Sequence, residues 1–242
     1  MSLPRSFAAR TPPHALPERM DTLEDEATLH ACLKSLARVN RWSLGHGPTV
    51  RFVASLAARE GAPLRVLDVG SGYGDGLRAL ARGLARRGIR ANLTGADLNP
   101  LAGRLAASVG APPRGIDLRY ITADARTLAI QEPFDVITCS LFTHHLEDDE
   151  VVAFLRLMDG AARRGWFIND LYRSRFAAVG FGALATVLRQ HPIVRHDGPV
   201  SFARAFRRRD WSERLAEASV HGATTFIGAP FRLCVGKVHG PG

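Results

Sequence analysis

Lysine is nearly missing from this sequence. Lys34 and Lys237 are the only two, although Lys and Arg together number 32. The net charge of +9 is therefore carried by arginine. A basic surface attracts nucleic acid, acidic carrier proteins or anionic membranes. Here the arginines are scattered through a chain rich in Ala, Arg and Gly, with Arg207 to Arg209 the one dense cluster. That pattern fits composition bias, and no nucleic-acid partner is expected. Cysteine is also scarce. Cys32, Cys139 and Cys234 lie far apart with no CxxC, which excludes a disulfide framework and a zinc spacing. Buried reduced thiols in a cytoplasmic protein are expected. No apolar run approaches about 20 residues, so no membrane span is expected. The first 20 residues lack the apolar core of a secretory signal and read as a mobile, proline-containing arm. No internal repeat is visible.

What is present suits one domain. At 242 residues and 46% hydrophobic content the chain can bury a full core. Thr22 to Asn40 reads as an amphipathic helix, with Leu29, Leu33, Leu36 and Ala37 on one face and Asp21 or Thr22 as cap. Pro48 suits the first turn of a second helix. From Leu64 onward short apolar runs alternate with helical stretches: "LRVLDV", "ANLTGAD", "IDLRYIT", "FDVITCS" and "GWFIND". Such alternation predicts an α/β fold, a mostly parallel sheet with helices on both faces. After Leu171 a helical stretch to Gln190, a loop "HPIVRHDGPVS" and a helix from Trp211 to Ala218 are expected. The runs around Gly228-Ala229-Pro230 predict a closing antiparallel hairpin at the sheet edge.

"LDVGSGYGDG", residues 67–76, follows the first strand. The dinucleotide fingerprint G-x-G-x-x-G fails in both frames. From Gly70 its third glycine would be Asp75, and from Gly72 it would be Leu77. No G-K-[ST] follows, so a P-loop fails too. Asp68 and Asp75 flank the glycines, and both oppose a phosphate at a helix N-terminus. They are comfortable beside a ligand with an ammonium, a sulfonium and no phosphate. S-adenosylmethionine (SAM) has that chemistry.

On these residues the chain resembles the class I SAM-dependent methyltransferases, whose first motif "VLDVGSGYGDG" looks like. The resemblance implies a Rossmann-like sheet and SAM as sole cofactor. It places Asp68, Gly70, Ser71, Gly72 and Gly74 around the methionine and ribose part. Asp97, after strand two, would take the ribose hydroxyls, whose vicinal pair fits a carboxylate. Leu98 would lie against the adenine, and Asp124 and Ala125 would meet its edge. Ser140, ending "FDVITCS", would border the methyl group. Taken singly, Asp97 could equally cap the helix near Pro100, and Asp124 could be a turn residue.

The acceptor is expected to be a hydroxyl of a small aromatic molecule. A phenol has a pKa near 10 and needs a base at neutral pH. His144 and His145 stand at the carboxyl end of strand four, where α/β sheets bind ligands. The family resemblance pairs such a His with an acid after strand five, here Asp170. His144 is the expected base, Asp170 its orienting acid and His145 the second choice. The plain alternative is a loop-packing His and a helix-capping Asp170. His196 and Asp197 could reach the pocket, with an Asp-Gly turn as the alternative. No metal is expected: "SLFTHH" has no Asp, and Asn169-Asp170 reverses the order of catechol-type enzymes. The amino-methylase signature [DN]-P-P-[YFW] is replaced by "CSLF".

"PERMD", "LARVNRW" and "VRHDGPVSFARAF" are similar to segments of bacterial methyltransferases that accompany type III polyketide synthases. That likeness implies phenolic or quinone-like polyketide substrates. It also implies a helical lid over residues 21–60, with Arg41 and Trp42 near the ligands, or Trp42 in the core. The main domain would run over residues 61–242, with a substrate-covering insertion at about 171–210. Carbon methylation of a quinol-like ring, an RNA or protein substrate, and a non-catalytic SAM-binding subunit remain as alternatives.

Overall fold

The computed structural model describes residues 7–23, 25–57, 61–228 and 230–240. Seven strands form one sheet: β1 (Leu64–Val69), β2 (Ala91–Asp97), β3 (Ile116–Thr122), β4 (Phe134–Ser140), β5 (Ala162–Leu171), β6 (Thr224–Ile227) and β7 (Arg232–Val238). Their order is β3-β2-β1-β4-β5-β7-β6, with β7 antiparallel to both neighbours and the other pairs parallel. This is the expected Rossmann-like sheet with its closing hairpin. The order reverses between β1 and β4, and the crevice at such a switch point is where ligands bind.

Side-chain alternation explains how both faces are covered. Val66 and Leu93 point to one face, where Val53 of α2 (Gly47–Ser55) and Leu77, Leu80 and Leu84 of α3 (Asp75–Ala85) meet them. Leu67, Ile137 and Ile168 point to the other. There Val151, Leu155 and Met158 of α6 (Asp148–Ala161) and Trp211 of α9 (Arg208–Glu217) close over them. Each such fully buried apolar side chain contributes roughly 1.5–3 kcal/mol. The short helices α4 (Pro100–Ala107) and α5 (Ala125–Gln131) follow β2 and β3. Among the described residues no helix is long and apolar enough to cross a membrane. All three cysteines are buried and free.

Three segments differ from expectation. The first helix, α1, runs Glu26–Trp42 and is capped by Asp25, whose carboxylate accepts from Thr28 N at 2.8 Å. Asp21 lies instead in a 3-10 turn, Arg19–Thr22. Residues 1–6 of the expected mobile arm lie outside the described residues, and residues 7–20 are fastened down. Buried Arg173 donates to the carbonyls of Phe7 and Ala8, and Arg10 donates to those of Arg204 and Leu146.

The predicted loop after Gln190 is a helix, α8 (Pro192–Arg204), packed on α7 (Arg175–Val187). Gly198 and Pro199 read as breakers in sequence. Gly198 is there because any side chain would run into the Phe181 ring, and the helix simply forgoes the backbone bond Pro199 cannot donate. His196 and Asp197 therefore do not reach the ligand cleft. Asp197 is buried, holds His196 at 2.7 Å, and accepts from Arg19 N and Met20 N at 3.1 and 2.9 Å.

Candidate active site

A cleft of about 610 Å³ opens at the carboxyl ends of β1, β2 and β4. Asp68, Gly70, Ser71, Gly72, Asp97, Leu98, Asp124, Ala125 and Ser140 all line it. Gly74 does not. It sits at the N-cap of α3 with φ 68°, and a side chain there would collide with Tyr120. Gly70 has φ 64°, and a side chain would strike Phe142. Gly72 is different: its φ is 50° and the space on its Cβ side is open, so a ligand can approach its backbone. Its N–H donates to Asp97 Oδ2 at 2.8 Å, and Asn99 N donates to Oδ1 at 2.9 Å. Asp97 is thus held by backbone at the cleft wall, and Asn99, not Asp97, caps α4. Leu98 is 72% exposed, an apolar surface awaiting a partner.

The acids differ in state. Burial pushes the Asp68 carboxyl up to about 7, against the Thr138 hydroxyl that donates to it at 2.8 Å. Burial also raises the Asp75 carboxyl. His46, at 2.9 Å, and the amide of Asn40 outweigh it and bring the pKa below its usual value. Asp124 caps α5 and is gripped by the Arg126 guanidinium at 2.7 Å, which lowers its pKa.

His144 and His145 do not share one environment. Their ring centroids lie 4.2 Å apart, the planes tilted by 39°, on a 3-10 turn, Thr143–His145, just past β4. His144 is 2% exposed and lies behind the cleft, off its lining. Its Nδ1 meets Asp170 Oδ1 at 2.7 Å. Asp170 also accepts from Thr143 Oγ1 at 2.6 Å and from the backbone N–H of His144 and Leu171. Burial would raise that carboxyl, but His144 and these donors hold it well below the usual range. The expected pair is formed, yet it is sealed. His145 is the histidine that lines the cleft. Its Nδ1 faces Asp21 Oδ1 at 3.1 Å. Burial pushes Asp21 upward, and His145 with Arg204 overcomes it and holds the carboxyl below its usual range.

Residues 66–165 match the family described as a methyltransferase domain. The matched stretch runs from β1 into β5 and holds the glycine loop, Asp97, Asp124 and both His144 and His145. The plantazolicin methyltransferase BpumL, solved with a pentazolic desmethylPZN analogue and SAH, is similar in fold. Its TM-score is 0.61 at 15% identity, over 91% of this chain and 98% of that one. The plantazolicin methyltransferase BamL, solved with a triazolic analogue and SAH, gives 0.56 at 17% identity, over 84% and 77%. Magnesium protoporphyrin IX methyltransferase from Synechocystis PCC 6803, with SAH, aligns more loosely, at 0.48 and 19% identity over 81% and 84%. At these identities the likeness speaks for the fold. No curated protein sequence matches the chain.

The chemistry of the cleft suits a cationic, phosphate-free ligand such as S-adenosylmethionine. Among the described residues six carboxylates line it (Asp68, Asp75, Asp97, Asp124, Asp149 and Glu150), and the one arginine, Arg126, is paired with Asp124. That balance suits a cation. Ser71 Oγ, buried and without a hydrogen-bond partner, adds a polar atom at the same wall. Leu141, also at the wall, is held at φ 54°, a left-handed strain of about 1–3 kcal/mol of the kind that gathers at functional sites.

Several cleft residues went unread in the sequence. Met20 comes from the N-terminal turn, and Leu29, Leu33, Leu36 and Asn40 come from α1. The leucine stripe was visible; what it faces was not. Arg41 and Trp42, expected near the ligands, do not line the cleft, and Trp42 is 77% exposed, so it is not core either. Glu18, His144 and His145 bring donor atoms within 4.8 Å of one another, a set that could hold a metal ion. Arg204 already puts its guanidinium 3.3 Å from both Glu18 and His145, which supplies the positive charge there.

Proposed function

We propose that the enzyme methylates a hydroxyl of a small aromatic acceptor, with His145 as base and Asp21 as its positioning residue. The acid-lined, leucine-walled cleft carries this reading. Six carboxylates against one paired arginine repel a polyanion, so RNA is a poor acceptor despite the net charge of +9. Met20, Leu33, Leu36, Phe142 and Phe154 offer a small apolar pocket, as an aromatic ring requires. The resemblance of the flanking segments to methyltransferases of type III polyketide pathways narrows the acceptor to a phenolic or quinone-like polyketide.

His145 Nδ1 lies 3.1 Å from Asp21 Oδ1; with the proton on Nδ1, turned to that carboxylate, Nε2 is the lone-pair nitrogen. That nitrogen takes the proton from the acceptor hydroxyl as its oxygen attacks. When bound, S-adenosylmethionine supplies the electrophilic methyl group. Asp68 and Asp75 favour its charge, Asp97 orients its ribose, and Leu98 covers its adenine. Buried His144 and Asp170 support the turn that carries His145. The turn with Met20 and helix α1 act as the lid, and Arg204 of α8 anchors that turn through Asp21.

The test is a labelled-SAM assay against a panel of phenolic polyketides and quinols, with total RNA alongside. Label transfer to a phenol, with none to RNA, is expected. Transfer to RNA alone would overturn the reading, and label on ring carbon would replace hydroxyl by carbon methylation.

A further inference from the structure

Helix α7 is amphipathic the wrong way round for a helix on a globular domain. Its small residues, Ala177, Ala178 and Ala185, face inward and pack with α8. Phe181 packs on α8 with them, and the other large residues face out: Phe176 is 80% exposed, Val187 77%, Val179 58% and Leu184 54%. The spacing 176, 179, 183, 187 is one helical face, and Gly180 and Leu184 broaden it. The stripe spans about 17 Å at 1.5 Å per residue. A contiguous exposed apolar ridge of this kind marks an interaction surface.

The charge around the ridge is of one sign. From Leu171 to His196 there is no Asp or Glu. Arg175 lies at one end of the helix, and Arg189 and Arg195 follow the other, all three exposed. A second copy of the chain is a poor occupant. Antiparallel pairing along the stripe would set Arg175 against Arg189 of the other copy with no acid on the face to offset them. A surface that is apolar within and negative outside meets both features.

We infer that α7 and the turn after it dock on an anionic lipid surface. Phe176, Val179, Leu184 and Val187 enter the acyl boundary, and Arg175, Arg189 and Arg195 engage the headgroups. A basic residue near such a surface changes partitioning roughly fivefold.

The experiment is sedimentation of the full-length protein with large vesicles, either of phosphatidylcholine alone or with one-third phosphatidylglycerol. Pelleting with the anionic vesicles and not the neutral ones is expected, weakening at high salt. F176S/V187S alters only exposed positions. It should abolish pelleting while its thermal unfolding and its SAM binding stay those of the parent. R175Q/R189Q should weaken pelleting by about 25-fold, two steps of about fivefold. R82Q, on the exposed side of α3, should leave it unchanged. The inference is overturned by any of three results: no anionic-vesicle binding; binding that ignores the α7 variants or follows Arg82; or a concentration-dependent dimer, seen by analytical ultracentrifugation without vesicle binding, that F176S/V187S dissolves.

Discussion

The strand-end wall of the cleft comes from the loops after β1, β2 and β4, while the opposite wall comes from the N-terminal turn and α1. The two present different chemistry. The first offers carboxylates and bare backbone: Asp68, Gly72 and Asp97. The second offers Met20 and three leucines, and its turn delivers Asp21 to His145. In the proposed reaction one wall holds a cofactor with fixed charge, and the other manages the acceptor and its proton. The difference teaches that the two roles are separable: changes on one wall should register in SAM affinity, changes on the other in turnover.

The sharpest break of that division is His145→Ala. Turnover should fall 10²–10⁴-fold, the usual worth of a positioned base, with the SAM dissociation constant within about twofold of the parent. Single-turnover rates and calorimetry separate the two. Next is Asp97→Ala on the strand-end wall. It removes a charged acceptor of two or more hydrogen bonds, so SAM affinity should drop about a hundredfold or more by calorimetry. Turnover at saturating SAM should change far less.

Asp21→Asn should lower turnover about tenfold, alter the pH–rate profile, and leave SAM affinity alone. An unchanged profile would mean that Asp21 only packs. A subtler probe is pH. Asp68 is pushed up to about 7, so below that pH it is protonated and must lose a proton before it can favour a cation. SAM affinity should therefore weaken as pH falls from 7.5 to 6, by up to about tenfold. Asp68→Asn should flatten that dependence. Smallest of all is Trp42→Ala. Because Trp42 lies outside the cleft and is largely exposed, neither binding nor turnover should move.

The same two walls differ in how far the sequence exposes them. The strand-end wall is contiguous chemistry. Glycines and acids follow apolar runs at fixed places, and the sheet order turns those places toward one crevice. The opposite wall is assembled over long separations. Asp21 and His145 are far apart in the chain, and nothing local to either announces the contact. The sequence puts His144 ahead of His145 as the base, but one residue's difference on a 3-10 turn decides which ring is sealed and which is open. Helix α8 was hidden for a related reason. Its Gly198-Pro199 breaks helices in isolation, and only the packing of Phe181 from α7 makes glycine there a requirement.

Asp197 and Arg204 lie on α8, yet both close on the N-terminal turn, one through backbone N–H groups and the other through Asp21. The two segments are therefore one unit for any engineer of acceptor scope. Strand-end loops can be exchanged with those of a relative one at a time. The first 22 residues cannot travel without α8, because a foreign α8 would leave the turn without its anchors and His145 without the carboxylate that aims it.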